Sequence, residues 1–174
     1  YQNGGLGLLV VDKPPGLRSP TSLYLSAPGA AGKEGLEIRG DILVGDGALI
    51  LTDPLATVSV HGNTVAMLGS IHAPGGTIDI AGGMNSRDLL FSDLTQALAT
   101  VYIGSRSVLS TAGTTILYPD AYGRRLGEVL PGGHIRVTGN IVAAAGSIID
   151  VSGATNMLDY HPVALDPSRN YVVP

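Results

Sequence analysis

Gly69-Ser70-Ile71-His72-Ala73-Pro74-Gly75-Gly76-Thr77-Ile78-Asp79-Ile80-Ala81-Gly82 decides the fold, because its grammar returns as Gly139-Asn140-Ile141-Val142-Ala143-Ala144-Ala145-Gly146-Ser147-Ile148-Ile149-Asp150-Val151-Ser152-Gly153. In both stretches apolar side chains alternate with small or polar ones over a few residues, and glycine then closes the segment. That is the pattern of short strands separated by tight turns.

Working outward, Val58 to Ile71 aligns with Ile135 to Ile148 at a constant offset of 77, with eight identical positions. An earlier copy, Leu36-Glu37-Ile38-Arg39-Gly40-Asp41-Ile42-Leu43, fits the same template at an offset of 22 from Val58. Ile78-Asp79-Ile80-Ala81-Gly82 supplies the next beat 20 residues after Val58. A period of about 20 residues made only of strands implies the coils of a solenoid and not a set of hairpins. Alternation then predicts that Asp79 and Asp150, each between apolar neighbours, hold equivalent outward places.

Composition fits a narrow interior of Val, Ile, Leu and Ala turned at glycine corners: 25 of 174 residues are glycine, and aromatic and charged residues are few. A formal net charge of -4 gives no electrostatic reason to expect nucleic acid as partner. The absence of cysteine excludes disulfides and thiolate chemistry. No apolar run approaches the ~18 residues of a membrane-spanning helix. The chain opens at Tyr1 without Met and stops at Pro174, which reads as a segment of something longer.

Interruptions of the beat predict insertions near 27–35, 83–100, 117–133 and 154–170 in an otherwise single solenoid segment, residues 1–174. Gly4 to Val11 reads as a buried strand, Lys13-Pro14-Pro15-Gly16 must leave the sheet, and Ser22 to Ser26 should re-enter it. Leucines at 90, 94 and 98 have helical spacing, so a short helical excursion is expected there. The beat resumes at Val101 and Val108, breaks over Tyr118 to Gly127, and returns from His134 to Gly153; the tail should rejoin a coil at Tyr171-Val172-Val173.

Three features carry a family resemblance: the Gly-x-Ile-x-Ala-x-Gly-Gly-x-Ile-Asp-Ile-x-Gly cadence, Val101 to Gly104 leading to Tyr118-Pro119-Asp120-Ala121-Tyr122-Gly123-Arg124-Arg125-Leu126-Gly127 and on to Ile135, and Ala145 to Ala154. Together they resemble large filamentous-haemagglutinin-type exoproteins of Gram-negative bacteria, over most of residues 36 to 160. The resemblance implies an all-β, right-handed parallel β-helix with inserted loops. It further implies two-partner secretion through an outer-membrane transporter and display at the cell surface as a filament or adhesin. Further coils of the same chain, or neighbouring subunits end to end, and surface glycans are the partners that follow.

Each candidate site has a competing structural role. A pectin-degrading β-helix would need carboxylates converging on one face, and neither the Asp-Asp pair nor the Gly-His-Gly of polygalacturonases is present, so no catalytic residue is expected. An enzyme whose catalytic coils lie elsewhere stays open as an alternative, as does a self-assembling filament subunit. Gly45-Asp46-Gly47 is an isolated turn and not a tandem calcium-binding roll. His61, His72, His134 and His161 are too scattered for a metal site, and no cofactor is expected. Asp41, Asn63 and Asn140 follow turn glycines, where they can cap turn amides or stack as an amide ladder. Tyr118, Tyr122, Arg124 and Arg125 form the densest aromatic and basic cluster and are the candidate ligand contacts, with an ordered flap as the bland reading.

Overall fold

The computed structural model describes residues 13–31, 37–83 and 99–159. Every regular element among them is a strand. After the Pro14–Leu17 turn come β1 (Leu23–Ala27), the short antiparallel pair β2 (Ala30–Ala31) and β3 (Glu37–Ile38), then β4 (Asp41–Val44) and β5 (Leu49–Leu51). The chain continues through β6 (Thr57–Gly62), β7 (Thr64–Met67) and β8 (Ser70–His72), then β9 (Thr77–Gly82), β10 (Val101–Ile103) and β11 (Val108–Ser110). A second antiparallel pair, β12 (Thr115–Leu117) and β13 (Gly127–Val129), precedes β14 (His134–Thr138), β15 (Ile141–Ala143) and β16 (Ile148–Asp150).

Three four-stranded sheets, parallel throughout, account for the remaining strands. The first has the order β1-β6-β9-β14, the second β15-β10-β7-β4 and the third β16-β11-β8-β5. Consecutive strands along the chain enter the three sheets in turn, and each then pairs with its counterpart from the previous circuit. Hairpin connections cannot produce this order, since they join neighbours antiparallel.

Alternation decides which side chains meet in the middle. Pairing aligns Leu23, Val58, Ile78 and Ile135 in one column and Leu25, Val60, Ile80 and Val137 in the next. Ile42, Val65, Val101 and Ile141 form the corresponding column of the second sheet, and Ile50, Ile71, Leu109 and Ile149 that of the third. Residues from all three sheets share one core, and the middle circuits are fully buried. Each such aliphatic side chain contributes about 1.5–3 kcal/mol by leaving water. The outer circuits are different: Ile141 is 48% and Ile149 53% exposed although both sit in core columns.

Several expectations need correction. Glu37 and Ile38 do not begin a circuit; they pair antiparallel with Ala30–Ala31, and the strand stacked beneath Val58 is Leu23–Ala27. Leu23 and Leu25 supply two inward aliphatic residues against Val58 and Val60, whereas Ile38 is exposed. The offset of 77 holds in the first sheet, where Ile135 joins the column of Val58, but Ile141 and not Val142 joins Val65, and Ile149 and not Ile148 joins Ile71. The corners therefore differ in length between circuits. Asp79 and Asp150 are not equivalent, since Asp79 lies in the first sheet and Asp150 in the third. The insertion placed near 117–133 is the β12–β13 hairpin with its connecting loop. The expected excursion with leucines 90, 94 and 98, the Gly4–Val11 strand and the return at Tyr171–Val173 lie outside the described residues.

Candidate functional site

The outer face of the first sheet concentrates polar chemistry. In β6 and β9 the inward positions are aliphatic, so Thr57, Ser59 and His61 and then Thr77, Asp79 and Ala81 take the outward ones. Register sets Tyr24, Ser59, Asp79 and Arg136 side by side across four strands, and Ser26, His61, Ala81 and Thr138 in the adjacent column. The His61 Nε2 lies 3.0 Å from Asp79 Oδ2, with each side chain about a third exposed. The Tyr24 ring meets the imidazole edge-on, centroids 5.5 Å apart.

Beside this pair is a cleft of about 210 Å³ whose lining includes Ser26, Pro28, His61, Asn63 and Ala81. It exists because the positions flanking His61 are small: Ala81 is its partner on β9, and Gly62 and Gly83 lie at the strand ends. The Gly62 position needs its glycine, since a Cβ there would stand 2.9 Å from the Thr64 carbonyl oxygen. Asn63 Oδ1 accepts the Gly40 N–H at 2.9 Å, which fixes the carboxamide and realises the turn-capping role foreseen for this residue. Asp41 instead accepts the Thr64 hydroxyl at 2.5 Å, and that bond chiefly holds its carboxyl below the usual range. Asn140 serves the corner through its backbone, whose carbonyl accepts the N–H groups of Thr100 and Val101. Of these contacts, that of Asn63 is a side-chain cap on a turn amide.

The four residues singled out for ligand contact lie on or beside the β12–β13 loop. Tyr122 is 84% and Tyr118 43% exposed. Both arginines have internal partners. Arg124 donates through Nε and a terminal nitrogen to Asp120 at 3.1 and 2.8 Å, and its guanidinium carbon sits 5.2 Å from the centre of the Tyr122 ring. Arg125 donates to Asn156 Oδ1 at 2.6 Å, and its backbone N–H to Asp159 at 2.8 Å. Asp120 also accepts the N–H groups of Tyr122 and Arg124, and the Arg124 side chain chiefly holds its carboxyl far below the ordinary value. Both arginines are thus braced, and Tyr122, with Tyr118 less so, is offered to solvent.

Asp150 points away from the core and accepts the Ser152 N–H at 2.9 Å, the main cause of its lowered pKa. It stands on a different sheet from Asp79, so the two carboxylates flank no common site. Among the described residues no group of three or more His, Cys, Asp or Glu could hold a metal ion. Reading the chain position by position missed the His61–Asp79 pair. The signal was there in the period: residues 18 apart in a fold that repeats every 20 lie diagonally on adjacent strands.

Comparison with family models, with characterised proteins and with solved structures finds no match.

Proposed function

We propose that this chain is a segment of a right-handed parallel β-helix that serves as the stalk or adhesive shaft of a secreted, cell-surface filamentous protein, similar to the filamentous-haemagglutinin-type exoproteins. The carrying observation is the state of the outer circuits. β14, β15 and β16 on one side and β1, β4 and β5 on the other have no further strand paired to them among the described residues, while core-column residues such as Ile141 and Ile149 stand half exposed. An unpaired parallel edge above an unfinished aliphatic column is a template for another circuit of the same kind. Further coils, or another subunit stacked end to end, would complete it.

Function would then be mechanical and interfacial: stacked circuits form a stiff rod, and inserted loops meet the attachment surface. Fibre diffraction and electron microscopy of the natural assembly test this reading. A thin rod with a meridional spacing of ~4.8 Å is expected. Compact particles at every concentration would overturn it. The open edges also favour a second reading, a self-assembling subunit, in which rod length grows with protein concentration. A carbohydrate-active enzyme would instead release reducing sugar from pectin or alginate.

A further inference from the structure

We propose that the cleft beside the His61–Asp79 pair is a binding site for one neutral sugar ring, recognised through its hydroxyl groups. This does not depend on the filament reading. The cleft, at about 210 Å³, is of the order of a single six-membered sugar ring and too small for a folded chain segment. Its polar atoms are mixed in kind. Asp79 Oδ2 is engaged with His61 Nε2, and Asn63 Oδ1 with the Gly40 N–H. Of the groups that line the cleft, His61 Nδ1, the Ser26 hydroxyl and the Asn63 amide N–H₂ have no hydrogen-bond partner among the described residues. With Nε2 donating to Asp79, Nδ1 is an acceptor; beside a hydroxyl that does both and an amide that donates, it suits a ligand's hydroxyls, which themselves do both.

Charge selects the neutral class. No Asp, Glu, Lys or Arg is among the described residues that line it, so nothing there offsets the desolvation of an ionic ligand. Pro28 and Ala81 supply the apolar part of the lining, the usual complement to polar groups in a small-molecule site. The framework is preorganised, because the pair stands on consecutive stacked strands and Asn63 is fixed by its backbone contact.

Titration of the ¹⁵N-labelled protein with methyl glycosides of glucose, mannose and galactose, and with glucuronate and glucosamine as charged arms, tests the site. At least one neutral glycoside should give saturable shifts at the Gly62, Asn63 and Gly83 amides with a Kd on the order of millimolar, the range open to a few hydrogen bonds on a small ligand. Ser26→Ala should weaken binding about tenfold through loss of its hydroxyl. Ala81→Leu, which fills the cleft from an outward position, should abolish binding while melting like the parent. The proposal is overturned if no neutral glycoside saturates, if only a charged arm binds, if shifts fall on the Tyr118–Arg125 loop instead, or if Ala81→Leu binds as the parent does.

Discussion

The Thr100 hydroxyl donates to the Gly82 carbonyl at 3.2 Å and in turn accepts the Asn140 N–H at 2.8 Å. Gly82 ends β9, and Thr100 immediately precedes β10, so this bond ties together the two flanks of the segment that separates those strands. Thr100 is buried, and its N–H is also used, by the Asn140 carbonyl. Thr100→Val keeps the shape and removes both side-chain bonds of a buried residue. A loss of about 1–3 kcal/mol in denaturant unfolding is expected.

With its flanks joined in this way, the intervening segment should be dispensable for the core. Replacing residues 84–98 by a short Gly-Ser turn should leave the far-ultraviolet circular dichroism of the parallel sheets intact, because closure entropy varies only logarithmically with loop length. Failure of the shortened chain to fold would show that the segment covers the core.

Ile80 and Asp79 are neighbours with opposite fates. Ile80 is fully buried between Val60 and Val137, and Ile80→Asp should cost several kcal/mol. Asp79→Asn should stay within about 1 kcal/mol, since its hydrogen bond with His61 is partly solvated. Thermal melts of the two variants that coincide would contradict the register.

Corner glycines divide in the same manner. A Cβ on Gly76 would overlap the Ala56 carbonyl oxygen, which accepts the Thr77 N–H, so the circuits could not keep their separation there. Gly76→Ala should destabilise by about 2–4 kcal/mol in denaturant unfolding, in the range of overpacking with backbone displacement. Gly45 faces open space: a Cβ added there would meet no atom within 4 Å, and its φ is not left-handed, so Gly45→Ala should unfold much as the parent does.

The Asp120–Arg124 brace should survive mild acid. The folded-state pKa of Asp120 lies below the ordinary 3.8, mainly through its bonds with Arg124, so its contribution is complete above pH ~4 and is lost only as pH falls through the lowered folded value. Carbon-detected titration of the Asp120 carboxyl should therefore find it ionised well below pH 3.8. At neutral pH, Asp120→Ala frees the Arg124 side chain and two loop N–H groups, and trypsin should cleave after Arg124 or Arg125 about tenfold faster while the melting temperature of the stacked sheets is unchanged. Equal cleavage rates would show that the loop is held by other contacts.

Strand content, parallel stacking and the identity of most core residues were legible in the sequence, because alternation with a period of two tells inward from outward side chains without reference to any distant contact. Val58, Val60, Ile78 and Ile80 follow from local pattern alone. Register between circuits does not. The corner after β14 is one residue shorter, in register, than that after β6, and the corner after β15 is two longer than that after β7, so Ile141 and Ile149 slip in opposite directions from the positions a constant offset assigns them. Ile38 matches the template as well as Leu25 does. What separates them is which one pairs beside Val60 in the first sheet, and that is settled by packing.

Side-chain partnerships lie further still from the linear chain. The sequence determined that His61 and Asp79 face outward; only stacking placed one diagonally above the other at hydrogen-bond distance. Tyr122, Arg124 and Arg125 form a conspicuous cluster as a string, yet Asp120, Asn156 and Asp159 engage the two arginines in the fold. Alternation is a local steric rule and can be read from neighbours. A contact between stacked strands depends on how many residues separate them along the chain, and that number is decided by tertiary packing.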